Sequence, residues 1–209
     1  MPHLRNLHSP ISADYSLATC RAIGSELAKR IAYVRGSAIL PIFERHKGTY
    51  RSVTTVFMVD DDAHLIRPDD TIESVHEYYP GFSWYEPVIN EFLVESLAHR
   101  ILHAPVLRKA RGEDAILAVP RIGRTDAEFL ARSQAIHFML GFLVPNDELI
   151  AAFTRGDDDA TIAARHGVTQ RLIGRRREGL CRKPDDAALA APIPDEVGET
   201  SEARTLEPA

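Results

Sequence analysis

Apolar residues recur at helical spacing across residues 13–34, with Leu17, Ile23, Leu27 and Ile31 along one side and Ser12 placed to cap the start. Gly36 and Ser37 break that run. Residues 38–43 and 53–60 are rich in branched and aromatic side chains and read as strands. The segment ERHKGTYR between them reads as a hairpin connection with Gly48 in its turn. Residues 63–67 form a short third strand, ended by Pro68, Asp69 and Asp70. Residues 71–86, which hold most of the aromatic stretch HEYYPGFSWYEP (76–87), fit a loop over the next helix, or a short helix and a loop.

That next helix opens at Pro87, a residue suited to a first helical turn, and ends near His103. Its apolar residues Val88, Ile89, Phe92, Leu93, Val94, Leu97, Ile101 and Leu102 spread around most of the surface, which marks a buried helix. Within it, NEFLVESLAHRILH puts Glu95, His99 and His103 four residues apart on one face. Buried polar groups without partners are costly. Either a metal or catalytic centre or a hydrogen-bonded polar core must account for them. A basic loop, LRKARGEDAILAVPRIGR, comes next. Thr125 or Asp126 then caps a second long helix over residues 127–143, and Pro145 and Asn146 stop it. A short helix spans residues 147–154.

Residues 157–180 have the layout of a helix-turn-helix, with Ile162 and Ala163 on the first helix, Gly167 in the turn, Val168 just after it, and Thr169 capping the second. The second helix carries Arg171, Arg175, Arg176 and Arg177, of which the first three are candidate DNA contacts. A solvated basic face is the plainer reading.

Charge is uneven along the chain. The 209 residues carry a net charge of −5, but residues 184–209 hold seven acids and one base. The remainder has 24 bases against 23 acids, too near balance for strong nonspecific DNA affinity. The tail, rich in Ala, Pro, Asp and Glu, reads as disordered. No apolar run approaches a membrane span, the start MPHLRNLHSP lacks a signal-peptide core, and the lone Cys20 and Cys181 fit no zinc or redox spacing. A cytoplasmic protein with no membrane partner is expected.

The pentapeptide Glu95-Ser96-Leu97-Ala98-His99 has the spacing of the zinc-peptidase motif HExxH. In that motif, two His at i and i+4 bind zinc and the intervening Glu is the general base. With LAHRILHAP at the motif helix, SQAIHFMLGFLVP on the second long helix and a helix-turn-helix-like end, the chain resembles the ImmA/IrrE family across residues 13–180. The resemblance implies an α+β fold: a small, mostly antiparallel sheet packed on a helical bundle, with a buried zincin-like central helix. A 1–12 arm would precede a 13–154 domain, and helices in 155–183 would complete it. The family's metal ligands fall on Glu95, His99 and Gln134, and its general base on Ser96. Only His99 keeps its residue type; Gln134 is a weak zinc donor and Ser96 is no base at neutral pH. His137 is a possible substitute ligand, whereas His103 would stand apart, its turn of helix too far along for one ion to span.

The resemblance therefore implies a degenerate peptidase, a regulatory protein acting through a protein partner such as a transcriptional repressor of a mobile element or stress response. Two alternatives stay open. One is an active, zinc-dependent peptidase with an unusual Glu/His site. The other is a DNA-binding regulator working through residues 157–180. With the polar core, His99 would bond to Glu95 and Gln134, and no cofactor would be needed.

Overall fold

The chain buries its central helix between a sheet and a second long helix. The structure, a computed structural model, describes residues 6–54, 62–78 and 86–181. The aromatic residues 79–85 and the acidic tail lie outside the described residues, as does most of the strand expected at 53–60.

Strand β1 (Leu7–His8) precedes helix α1 (Leu17–Arg30). Ser16, not Ser12, caps α1, its hydroxyl accepting from the Thr19 amide at 3.1 Å. The start shifts because the Gln134 side chain binds the backbone of Ala13 and Tyr15, which holds that segment out of the helix. Residues 38–43 do not form a strand. Helix α2 (Leu40–Arg45) stands there, with Pro41 in its first turn and Ile39 and Phe43, four apart, both fully buried. A short apolar run fits either periodicity, and tertiary packing decides.

Gly48 begins strand β2 (Gly48–Thr54) instead of turning a hairpin. A side chain at Gly48 would strike the Phe43 ring, which would lie 2.3 Å from its Cβ. β2 pairs in parallel with β4 (Ile72–Tyr78), from the stretch whose sequence fits more than one conformation. β3 (Asp62–Ile66) falls where the third strand was expected and runs antiparallel to β4. Helix α3 (Glu86–Leu102) follows. The basic "loop" is in fact helix α4 (Ala104–Arg111) and strand β5 (Ile116–Pro120). β5 lies antiparallel to β3 and parallel to β1, giving the order β1-β5-β3-β4-β2. The fold is α+β as expected, but the sheet is mixed, not mostly antiparallel, and the N-terminal arm supplies one of its edges. β5 is hard to see in the sequence because it is buried along nearly its whole length and so shows no alternation.

Helix α5 (Asp126–Leu143) starts at a full capping box between Thr125 and Glu128. Helices α6 (Asn146–Thr154), α7 (Asp159–His166) and α8 (Gln170–Cys181) follow. Layers run from the sheet to α3, then α5, then α1. α1 and α5 cross almost backbone to backbone: a Cβ on Gly24 would lie 2.0 Å from the Phe138 carbonyl oxygen, and one on Gly141 1.9 Å from that of Arg21. Gly167, at φ 62°, ends α7 in the left-handed conformation. Asn90 and Glu91 of α3 bind the two helices beyond it, Asn90 donating to the Gly167 carbonyl at 3.1 Å and Glu91 accepting from the Thr169 amide at 2.6 Å. α7 and α8 thus pack as part of the same body. Among the described residues, no single helix is long and apolar enough to cross a membrane.

Candidate functional site

α3 brings its polar residues to two different partners. On one side, Ser96 is fully buried and its hydroxyl meets Ser74 of β4 at 2.9 Å; Ser74 in turn meets His64 Nδ1 of β3 at 3.0 Å. On the other, His99 Nδ1 meets His103 Nδ1 at 3.0 Å, and His103 Nε2 meets Gln134 Oε1 of α5 at 3.0 Å. His103 therefore does not stand apart. It is the link between His99 and Gln134, and the direct bond expected from His99 to Gln134 is replaced by this relay. Glu95 faces Arg132 at 3.6 Å.

The relay has a fixed polarity. Gln134 Oε1 accepts from the Ala13 backbone N–H at 3.0 Å, and a backbone amide can only donate. Gln134 Nε2 accordingly donates to the Ala13 carbonyl at 2.7 Å and the Tyr15 carbonyl at 2.9 Å. His103 Nε2 must then carry a proton to donate to Oε1. Burial pushes His103 down to about 4, so at neutral pH the ring is uncharged and its Nδ1 is an acceptor. His99 must donate from Nδ1. Burial, with His103, His64 and Arg132 adding to it, holds His99 well below the ordinary imidazole range. The neutral ring is left with a bare lone pair on Nε2, an atom that is buried and has no hydrogen-bond partner.

His99 lines a cleft of about 220 Å³ above α3. Its walls come from α3 (Phe92, Glu95), the sheet (His64, His76), the turn after β5 (Arg121) and α5 (Arg132). Burial, then Arg121, Arg132 and His76, push His64 down to about 3, so it too is neutral. Phe92 packs against both His64 and His76, at ring-centroid distances of 4.4 and 4.9 Å. The cleft thus combines the neutral imidazoles of His64 and His99 with two carboxylates (Glu95 and Glu128), two guanidinium groups and an aromatic floor. His64, Ser74 and Arg121 carry no signal in the sequence because they come from two strands and a turn outside α3, where no helical spacing links them to it.

Zinc, which the resemblance implies, does not fit this donor set. Its ligands must converge at about 2 Å. Gln134 spends its carbonyl on Ala13 and His103, and Glu95 faces Arg132. His137 accepts from Arg21 Nη2 at 2.7 Å instead of joining His99. Among the described residues, no three His, Cys, Asp or Glu side chains are grouped to hold a metal ion.

The candidate DNA contacts separate as well. Arg176 is only 4% exposed and donates to Asn146 Oδ1, so it cannot serve a DNA backbone. Arg177 is held by Asp159 at 2.6 Å and lies over the Phe153 ring at 4.3 Å. Arg171 is exposed, and with Arg175 it favours the charge of Glu91, whose carboxyl burial pushes up. The chain matches no model of a known protein family and no curated protein.

Proposed function

We propose that this is a regulatory protein of ImmA/IrrE-like type that has lost hydrolysis and keeps the cleft over α3 as a recognition site for a protein partner. The observation that carries the reading is the fate of Ser96. At the position where the resemblance requires a general base in contact with water, it supplies a fully buried hydroxyl bonded to Ser74. The carboxamide of Gln134, at the position of the third ligand, fastens the N-terminal segment instead. What is left of the centre is a cleft with hydrogen-bonding walls and an aromatic floor, suited to holding a side chain without cutting its backbone. The partner class, a transcriptional repressor, comes from the resemblance. Burial of Arg176 counts against DNA contact through residues 157–180.

The test is a photo-crosslinking residue in place of Ile122, which is 58% exposed beside Arg121, in cells of the native host. The expected result is an intact transcriptional repressor joined to the protein, lost when Arg121→Ala is added. A cleaved partner, or stoichiometric zinc in the purified protein that disappears in His99→Ala, would establish the active-peptidase alternative instead.

A further inference from the structure

At the base of the cleft over α3, one polar atom lacks a partner. His99 has no exposed surface, yet it lines the cleft. Its Nδ1 is turned to His103 at 3.0 Å, so the opposite edge of the ring, which carries Nε2, is the edge left to the cleft. Among the described residues, Nε2 has no hydrogen-bond partner. The His64 ring, which lines the same cleft, stands at a centroid distance of 6.3 Å from the His99 ring and 4.4 Å from Phe92. A buried polar atom left unpaired is expensive, and here the open side is a cavity of about 220 Å³.

The relay behind His99 decides what Nε2 can take. Gln134 Oε1 receives the Ala13 N–H and cannot donate, so the bond to it from His103 Nε2 is donated by the ring. His103 has no exposure, and its two nitrogens meet His99 and Gln134 and no carboxylate, so the ring stays neutral. Its Nδ1 then accepts from His99 Nδ1, and His99 Nε2 is an acceptor. A carboxylate, which only accepts, would set lone pair against lone pair there.

Charge narrows the class further. The two carboxylates of the cleft are engaged: Glu128 accepts from the Arg124 and Thr125 amides at 2.6 and 3.2 Å, and Glu95 faces Arg132 at 3.6 Å. The guanidinium groups of Arg121 and Arg132 line the same walls, and a cation at His99 would add to their charge. The ligand that complements the cleft is uncharged, donates at one end and accepts at the other. A primary carboxamide does both, and its flat face suits the Phe92 ring.

We propose that the cleft takes the carboxamide of an asparagine or glutamine side chain of the partner, its N–H donated to His99 Nε2 and its carbonyl turned to the guanidinium groups of the wall. The inference rests on the reading of this cleft as a recognition site. His103 and Gln134 are positioning residues for it: through them the Ala13 amide fixes His99 as an acceptor.

NMR titration of the full chain, its histidines labelled with 15N, tests the class with three probes of one size: propionamide, propionate and propylammonium. Propionamide is expected to move the His99 Nε2 signal saturably. Propionate and propylammonium should bind at least about tenfold more weakly, the size of one hydrogen bond lost or one charge misplaced. His99→Phe keeps a ring and removes the acceptor, and should abolish the preference; should that variant fail to fold, the nitrogen signal of the unaltered protein still decides. Equal binding of the three probes, tighter binding of either charged one, or a propionamide titration that leaves His99 Nε2 unmoved would overturn the proposal. Crosslinking at Ile122 reports separately on the partner. Carboxamide preference without a crosslinked protein would remove the partner reading and leave the carboxamide site standing; a crosslinked partner without the preference would do the reverse.

Discussion

His103 Nε2 donates to Gln134 Oε1 at 3.0 Å, and through that bond the backbone amide of Ala13 dictates the protonation of an imidazole two residues removed along the relay. The geometry predicts His99 as the Nδ1-H tautomer and His103 as the Nε2-H tautomer at neutral pH. Long-range nitrogen–proton correlation spectra of the imidazole rings check both. Finding His99 protonated on Nε2 would refute the polarity.

Gln134→Glu keeps the acceptor and loses both donors, leaving the Ala13 and Tyr15 carbonyls facing a carboxylate. A cost of about 1–3 kcal/mol in urea unfolding is expected, as for buried groups left unsatisfied. The added charge beside His103 should raise that imidazole's pKa, measurable in the same spectra.

His64, His99 and His103 are all buried and all depressed below the ordinary imidazole value, chiefly by desolvation. In the unfolded chain each returns to about 6.5. Below that pH the unfolded state takes up protons that the native state refuses, so stability falls as pH drops toward the folded values, about 3 for His64 and about 4 for His103. Each contributes up to about 1.4 kcal/mol per pH unit within its window. Urea midpoints measured from pH 7 to pH 4 should decline steadily; a flat profile would mean that these rings are charged in the native state.

A carboxylate at residue 96, the general-base position that the ImmA/IrrE resemblance implies, is not expected to create peptidase activity. Ser96→Glu places a carboxylate against Ser74 inside the core, where Ser96 has no exposure. The variant should lose about 3 kcal/mol or more of stability and gain no peptidase activity against a casein substrate, with or without added zinc. Measurable hydrolysis would show that residue 96 can reach the cleft.

Gly141→Ala drives a methyl group into the Arg21 carbonyl at 1.9 Å and must separate α1 from α5. A loss of about 3 kcal/mol or more is expected. Gly156→Ala is the contrast: nothing lies within 4 Å, and only its φ of +82° is strained. That variant should lose about 1 kcal/mol. Thermal melts of the two proteins separate close packing from backbone strain.

The sequence by itself determined the helices whose signals are local. A cap at Thr125 or Asp126, the all-round apolar character of α3 and the turn at Gly167 each follow from residues within a few positions, and the structure shows the cap at Thr125, a buried α3 and the turn. It did not determine α2 or β5, whose short apolar runs suit more than one periodicity until neighbours are packed against them, or β4, whose IESVHEY is mostly polar. Nor did it determine how the polar residues of α3 are satisfied. That depended on Ser74 and His64 arriving from the sheet and on the Ala13 backbone arriving from a segment 121 residues from Gln134. A buried polar group is stabilised by whatever donor or acceptor lies within about 3 Å of it. Spacing along a helix states which groups share a face, and only the tertiary structure supplies the atoms that face them.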